Sequence, residues 1–412
     1  GKRGSEGIPT AYFGDIIANL YALDATTGEL VWQASPDDHH SATLTGTPAF
    51  ADGNLYVPVS SLEVVTAANP EYACCTFRGH VMAVNGEDGT VLWDSYAIPN
   101  VPISTEDTKA GTKIYAPSGA PVWTSPTVDV PRNLLIFGTG ENYSSPADRN
   151  SDAVIAVRLD TGERLWSRQT FPDDAWNVAC MMVDNPNCPE EDGPDYDQAS
   201  SPLLVDIGEG DTVVVAGQKD GRVFALDWQT GQQKLWEVKL GRGSIQGGVH
   251  FGMAADGATV FVPINDMNDT RNGEWLDPKT ARPGVSAVNA ATGKVLWSHV
   301  QENVCGEGRP FCDPGVSAAI TATEGAVVAG HLDGIIRIYD SASGDIIWSY
   351  DTTAPVTGTN GVTAKGGGMS GSGPAIGAGH MVVNSGYGLY NHEAGNALLV
   401  FAPRSKGPVS TR

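Results

Sequence analysis

Several things are missing from this 412-residue chain. No apolar period of 3.6 residues survives for more than a turn or two, which leaves an all-β chain with few helices. No apolar run is long enough to span a membrane and no signal peptide opens the chain, so a mature or trimmed form is expected. Basic residues are scarce: 25 Lys and Arg stand against 48 Asp and Glu, a formal charge of −23. That balance disfavours nucleic acid, whose binders need a basic stripe, and reads as the solvated acidic surface of a protein outside the cytosol. Cysteine is sparse too, and the six fall in close pairs: Cys74 with Cys75, Cys180 with Cys188, Cys305 with Cys312. Local even pairing suggests three disulfides and an oxidising compartment, hence a periplasmic or secreted protein. No Cys-x-x-Cys-His occurs, so no covalent haem site lies on this chain.

What is present in quantity is glycine (50) and proline (26), as many turns require, and a phrase repeated six times. It first reads Ala22-Leu23-Asp24-Ala25-Thr26-Thr27-Gly28-Glu29-Leu30-Val31-Trp32, then returns ending at Trp93, Trp166, Trp236, Trp297 and Trp348. The phrase is a β-hairpin: a short apolar strand, a polar turn with Gly where φ is positive, and a second strand ending in a large apolar anchor. Two further strand-like runs precede each hairpin, as in Thr47–Phe50 and Leu55–Val59. Four strands per unit, repeated at this period, predict a β-propeller whose Trp residues pack between blades. Full sets run over about 44–95, 120–168, 199–238, 246–299 and 315–350. Residues 1–10 read as a frayed end, 12–32 as an incomplete first blade, and 370–403 as a last blade with three strands. One domain over 1–412 is expected, its two ends completing each other or an N-terminal blade being absent. Long loops at 63–79, 96–119, 141–152, 169–198, 266–283, 302–315 and 351–370 hold all six cysteines, which argues that they are ordered and functional.

The repeat, together with Tyr72-Ala73-Cys74-Cys75-Thr76-Phe77-Arg78-Gly79, Asp174-Ala175-Trp176-Asn177-Val178-Ala179-Cys180, Gly248–Gly257 and Asn384–Gly388, resembles the pyrroloquinoline quinone-dependent dehydrogenases, and within them the polyvinyl-alcohol dehydrogenase branch. The resemblance covers nearly the whole chain. It implies a propeller of eight blades in the family, of which about seven are represented here, without the cytochrome c domain of some relatives. It also implies pyrroloquinoline quinone and Ca2+ as cofactors.

By position, the resemblance makes Thr45 a partner of the quinone's carboxylates. Trp123, the one Trp early in a repeat, becomes the surface on which the flat cofactor rests. Lys219 and Asn265 become partners of the ortho-quinone oxygens, where a cation stabilises the charge that develops on reduction. Glu63, Asn142 and Asn177 become the oxygen ligands of the hard cation. A Cys74–Cys75 disulfide would be a plate over the other quinone face, although its place in the chain differs from that in other branches. Arg78 could hold a cofactor carboxylate, or could be a loop arginine in water. The base position after Asp-x-Trp holds Asn177, and an amide cannot be a base. Asp197, which begins the next inner strand, is therefore the expected catalytic base, with Asp174 second and Lys219 assisting. The implied reaction takes an alcohol, secondary or polymeric, to its carbonyl and passes electrons to a cytochrome c. Two other classes stay open: a binding or scaffold propeller that lost the quinone, and a quinoprotein acting on sugars or aldehydes.

Overall fold

In the computed structural model, residues 1–3, 7–108, 110–267, 280–306 and 309–403 are described. Trp275 and most of loop 266–283 lie outside them. Seven antiparallel meanders follow one another along the chain, the blades of a β-propeller. Six have four consecutive strands; the last, Ala375–Gly377, His380–Ser385 and Ala397–Phe401, has three. The first blade departs from expectation. Lys2–Arg3 pairs with Ile8–Pro9, and the N-terminal ammonium of Gly1 donates to Thr10 O at 2.9 Å, so residues read as frayed form edge strands. The alternation of Ile8-Pro9-Thr10-Ala11-Tyr12-Phe13, diluted by Pro and Gly, is a weak strand signal.

The chain packs as two compact units. One holds Gly1–Lys239 with Ala291–Gly293, hence the first four blades; the other holds the remaining three. In the third and fourth blades the second and third strands are near-continuous apolar runs. Every residue of Leu134–Gly138 is buried, as is all of Ala153–Arg158 except its last residue, while the outer strand Arg164–Gln169 alternates.

The repeated phrase encodes two devices. The first is a bulge. Ala156 pairs with Trp166 but Val157 with Arg164, leaving Leu165 as the extra residue, and the same slip recurs before Trp32, Trp93, Trp297 and Trp348. The apolar residue before each Trp thereby turns outward, as Leu92, Leu165 and Leu296 do. The second is a lock between blades. Trp93 Nε1 donates to Leu159 O (3.2 Å) and Trp166 Nε1 to Trp228 O (2.9 Å), each a carbonyl of the next blade's hairpin. The hairpin glycine packs on the same indole: a Cβ on Gly162, at φ +70°, would come within 2.5 Å of Trp93 Cε3. Gly is thus required twice at this position, for its backbone and for its flatness. Burying an indole of this size contributes about 4–5 kcal/mol as an upper figure.

Candidate active site

Four chain segments of the first unit meet where blade strands end. The turn 139–142 leaves Leu134–Gly138, the stretch 195–202 leads into Leu203–Gly208, the turn 218–221 follows Asp211–Gly217, and 118–124 leads into Thr127–Asp129. Backbone bonds tie them: Gln198 N to Thr139 O (3.1 Å), Lys219 N to Asp197 O (3.1 Å), Gly140 N to Pro121 O (2.9 Å) and Ala120 N to Glu141 O (2.7 Å). Gly140 has to be small here, since a Cβ would meet Asp197 Oδ1 at 3.0 Å.

Three residues singled out from the sequence come together at this junction. Asp197, buried, accepts from Trp123 Nε1 (3.1 Å), from the Glu141 amide (3.1 Å) and from the Lys219 ammonium (2.7 Å). Lys219 Nζ also reaches Asp195 Oδ1 (2.8 Å) and lies 5.5 Å from the centre of the half-buried Trp123 ring. Asp197 thereby fixes the indole edge, and Lys219 places a positive charge over it.

The sequence reading missed Glu141 and Asp195. With Asp197 they form a buried cluster whose carboxylate oxygens lie within 4.8 Å of one another. Asp195 and Asp197 stand two apart in a loop, Asp195 at a positive φ of 61°; Glu141 is brought in only by the fold. Burial first, then the charges of Asp197 and Asp195, hold the Glu141 carboxyl well above the usual carboxylate range. Asp195 is raised chiefly by burial, against the pull of Lys219. Burial opposes the charge of Lys219, but Asp195, Asp197 and Glu141 outweigh it and keep the ammonium protonated. Asp174 sits one layer away, accepting from the Tyr196 (2.7 Å) and Asp195 (3.3 Å) amides; burial pushes its carboxyl up to about 6. Asp152 is fully buried, and neither of its oxygens has a partner among the described residues.

Most of the other expected residues lie elsewhere. Thr45 is exposed, next to the buried Thr43. Glu63 accepts from the amides of Thr76 (2.9 Å) and Phe77 (2.8 Å) and from the Tyr72 hydroxyl (2.7 Å). Asn142 Oδ1 accepts from Asp148 N (2.6 Å) and its Nδ2 donates to Ser118 O (2.9 Å). Asn177 caps the short helical turn Val178–Met181 through Ala179 N (2.8 Å) and donates to Tyr143 O and Asn187 O. Cys74 and Cys75 are disulfide-bonded and fully buried in a core with Val59, Phe77 and Tyr143. Arg78 lies over the Tyr96 ring at 3.9 Å and donates to Ile98 O and Pro99 O. Asn265 belongs to the second unit, where its Nδ2 donates to Gln246 O (2.6 Å) and its buried Oδ1 has no partner among the described residues.

A flat, multiply anionic cofactor suits the first cluster. Backbone at Gly46 lies against Thr124, where a Cβ would meet the Thr124 carbonyl carbon at 3.0 Å, so the Thr43–Gly46 turn borders Trp123–Thr124. The buried Oγ1 atoms of Thr43 and Thr124 have no partner among the described residues. Hydroxyls in want of partners, an indole face and an ammonium form one cradle. A calcium ion suits the chain less well. The oxygens of Glu63, Asn142 and Asn177 already accept hydrogen bonds from the fold's own donors, and Lys219 occupies the Asp195–Asp197 pair. As they stand, these side chains do not form a cation's shell.

Known proteins resemble this chain along most of its length. Residues 42–242 match a family described as glucose/ethanol/alcohol dehydrogenase, beta-propeller domain, and residues 219–370 and 282–398 match one described as outer membrane protein assembly factor BamB. The chain is 35% identical to a polyvinylalcohol dehydrogenase of Pseudomonas sp, over 97% of this chain and 63% of that protein. It is 35% identical to another from Sphingopyxis sp. (strain 113P3), over 95% of this chain and 60% of that one. It thus spans about three-fifths of the length of these relatives. In three dimensions it resembles the quinohemoprotein alcohol dehydrogenase of Comamonas testosteroni, with TM-score 0.63 and 19% identity over 95% of this chain and 65% of that one. It also resembles a europium-containing methanol dehydrogenase, with TM-score 0.62 and 18% identity over 94% of this chain and 72% of that one. At these identities the solved structures bear on the fold alone. With a propeller of seven blades, a repeat of this form and these relatives, the chain belongs to the pyrroloquinoline quinone dehydrogenase β-propeller family.

Proposed function

We propose that this chain oxidises alcohols, secondary and polymeric ones among them, with pyrroloquinoline quinone as the acceptor, and that the electrons then leave to a cytochrome c. The observation that carries the reading is the Trp123–Asp197–Lys219 triangle, in which an aromatic plane, a carboxylate and a buried ammonium are fixed to one another within hydrogen-bond range. When bound, the quinone supplies a two-electron acceptor. Trp123 offers the plane on which a flat ring rests; Thr43, Thr45 and Thr124 offer hydroxyls for its carboxylates. Asp197 accepts the hydroxyl proton of the alcohol. Its charge is stabilised beforehand by Trp123, Lys219 and the Glu141 amide, so little reorganisation accompanies the transfer. Lys219 holds negative charge developing on the acceptor's oxygens. Three disulfides support an oxidising compartment, periplasmic or outside the cell.

The test is Asp197→Asn. On this reading, dye-coupled oxidation of a secondary alcohol falls at least about a hundredfold in kcat while the quinone still binds. Retained kcat would remove Asp197 from the role, and Asp174→Asn would be examined next.

A further inference from the structure

The loop between Asn177 and Asp197 carries an apolar surface that the chemistry above does not use. Met181, Met182 and Val183 are 57, 50 and 93% exposed, and beside them Leu62 and Val65 are 42 and 52% exposed. These two groups form one patch, because the helical turn Val178–Met181 packs on the one-turn helix Glu63–Thr66. The patch is rigid. The Cys180–Cys188 disulfide closes the loop. The Asn187 amide donates to Ala67 O (3.1 Å), Asn69 O (2.9 Å) and Tyr72 O (3.1 Å), and Asn185 donates to Ala68 O (2.8 Å). Five large apolar side chains held out to solvent by such clamps are preorganised for contact.

The charge around them is of one sign. Residues 60–77 and 178–218 contain no Lys and no Arg. Glu71, Asp184, Glu190 and Asp192, all exposed, lie in the same two segments as the apolar residues. An apolar centre among acidic residues is complementary to a partner with an apolar centre among basic ones. The same segment runs on through Tyr72 to the Cys74–Cys75 pair, and Glu63 grips the Thr76 and Phe77 amides that follow it.

We propose that this patch is the docking surface for a small, basic electron-carrier protein. The proposal rests on the dehydrogenase reading for its purpose, while its geometry stands apart from it. A centre of five side chains fits the small, transient interfaces of redox encounters, below about 1,200 Å² in total. Acidic steering would raise the association rate and make it fall with salt.

The experiment uses the full chain and a pure basic cytochrome c as probe, with an acidic cytochrome c as control. Binding is measured by calorimetry at two ionic strengths, and dye-coupled alcohol oxidation is measured separately. The basic cytochrome binds at low salt, about tenfold more weakly near 0.2 M, and the acidic one does not. Met182→Ser with Val183→Ser weakens binding about fivefold or more; Glu71→Lys with Asp184→Lys abolishes its salt dependence. Neither pair changes dye-coupled activity. Equal binding of both cytochromes, or unchanged binding by both variant pairs, overturns the proposal. So would a variant-sensitive self-association seen by light scattering, or a rise in KM for polymeric alcohol in the serine variant without loss of cytochrome binding. Absent dye-coupled activity in the parent chain would refute the dehydrogenase reading, and the calorimetry would still decide the docking surface.

Discussion

Lys219→Met removes the cation that the buried carboxylates Asp195 and Asp197 share. The side chains are close in length, so the change is electrostatic. Asp195 and Asp197, at 2.8 and 2.7 Å from the ammonium, lose their shared partner, and Asp197 keeps only Trp123 and the Glu141 amide. Removing one partner of a buried pair costs about 3–5 kcal/mol, because the charge left behind is neither solvated nor matched. For a chain of this size that corresponds to a fall in Tm of roughly 3–6 °C. The loss is also pH-dependent, with a fixed sign. Without the ammonium, the folded-state pKa of the Asp195 carboxyl, already raised by burial, rises further above its unfolded value near 4, so the folded cluster retains a proton that the unfolded chain gives up. Stability therefore falls as pH rises from about 4 toward neutrality, and the deficit is small at pH 4.5 and large at pH 8. Scanning calorimetry of parent and variant at both pH values reads this directly. Lys219→Met with Asp195→Asn should recover part of the loss, since one uncompensated carboxylate is gone. An unchanged Tm at pH 8, or equal losses at both pH values, would refute the electrostatic account of the cluster.

Gly162→Ala forces a left-handed φ and a Cβ onto Trp93, and should cost about 2 kcal/mol or more, read by urea denaturation; an unchanged midpoint would contradict the inter-blade lock. His80 lies between Asp37 (Nε2–Oδ2 2.8 Å) and Asp94 (Nδ1–Oδ1 2.5 Å); burial works against its charge, but the two carboxylates prevail and raise its pKa. Its contribution to stability is present below the unfolded value near 6.5 and is lost as pH rises through the higher folded value, so His80→Gln should flatten the fall in Tm on the alkaline side. Asn187→Ala strips three hydrogen bonds that hold the 178–196 loop, and limited proteolysis should then cut within that loop several times faster than in the parent.

The architecture was legible because its code is local. A hairpin with a Gly turn and a terminal Trp reads the same way in every copy, and full sets over 120–168 and 199–238 coincide with observed blades. The bulge before each Trp was not legible, since a one-residue slip leaves no mark in composition. The short strand at Lys2–Arg3 was hidden for a related reason: two residues carry no period. At the site, Trp123, Asp197 and Lys219 were found by position within the repeat, which places strand ends reliably. Glu141 was passed over for its neighbour Asn142, although it is the acid that the fold turns toward Asp197. Asn177, Glu63 and Asn142 were read by type as oxygen ligands, but a loop needs caps and clamps of the same chemistry, and sequence does not separate the two uses. Arg78 illustrates the same limit: its guanidinium could serve an anion, yet its described partners are two carbonyls and a tyrosine ring.

The most direct test of the central claim is titration of the purified chain with pyrroloquinoline quinone, followed by quenching of Trp fluorescence in the parent and in Trp123→Phe. The account predicts saturable stoichiometric quenching whose amplitude drops in Trp123→Phe, and weaker binding in Lys219→Met. Absence of saturable binding by the parent, or identical titrations for all three proteins, would contradict a cofactor site built on Trp123, Asp197 and Lys219.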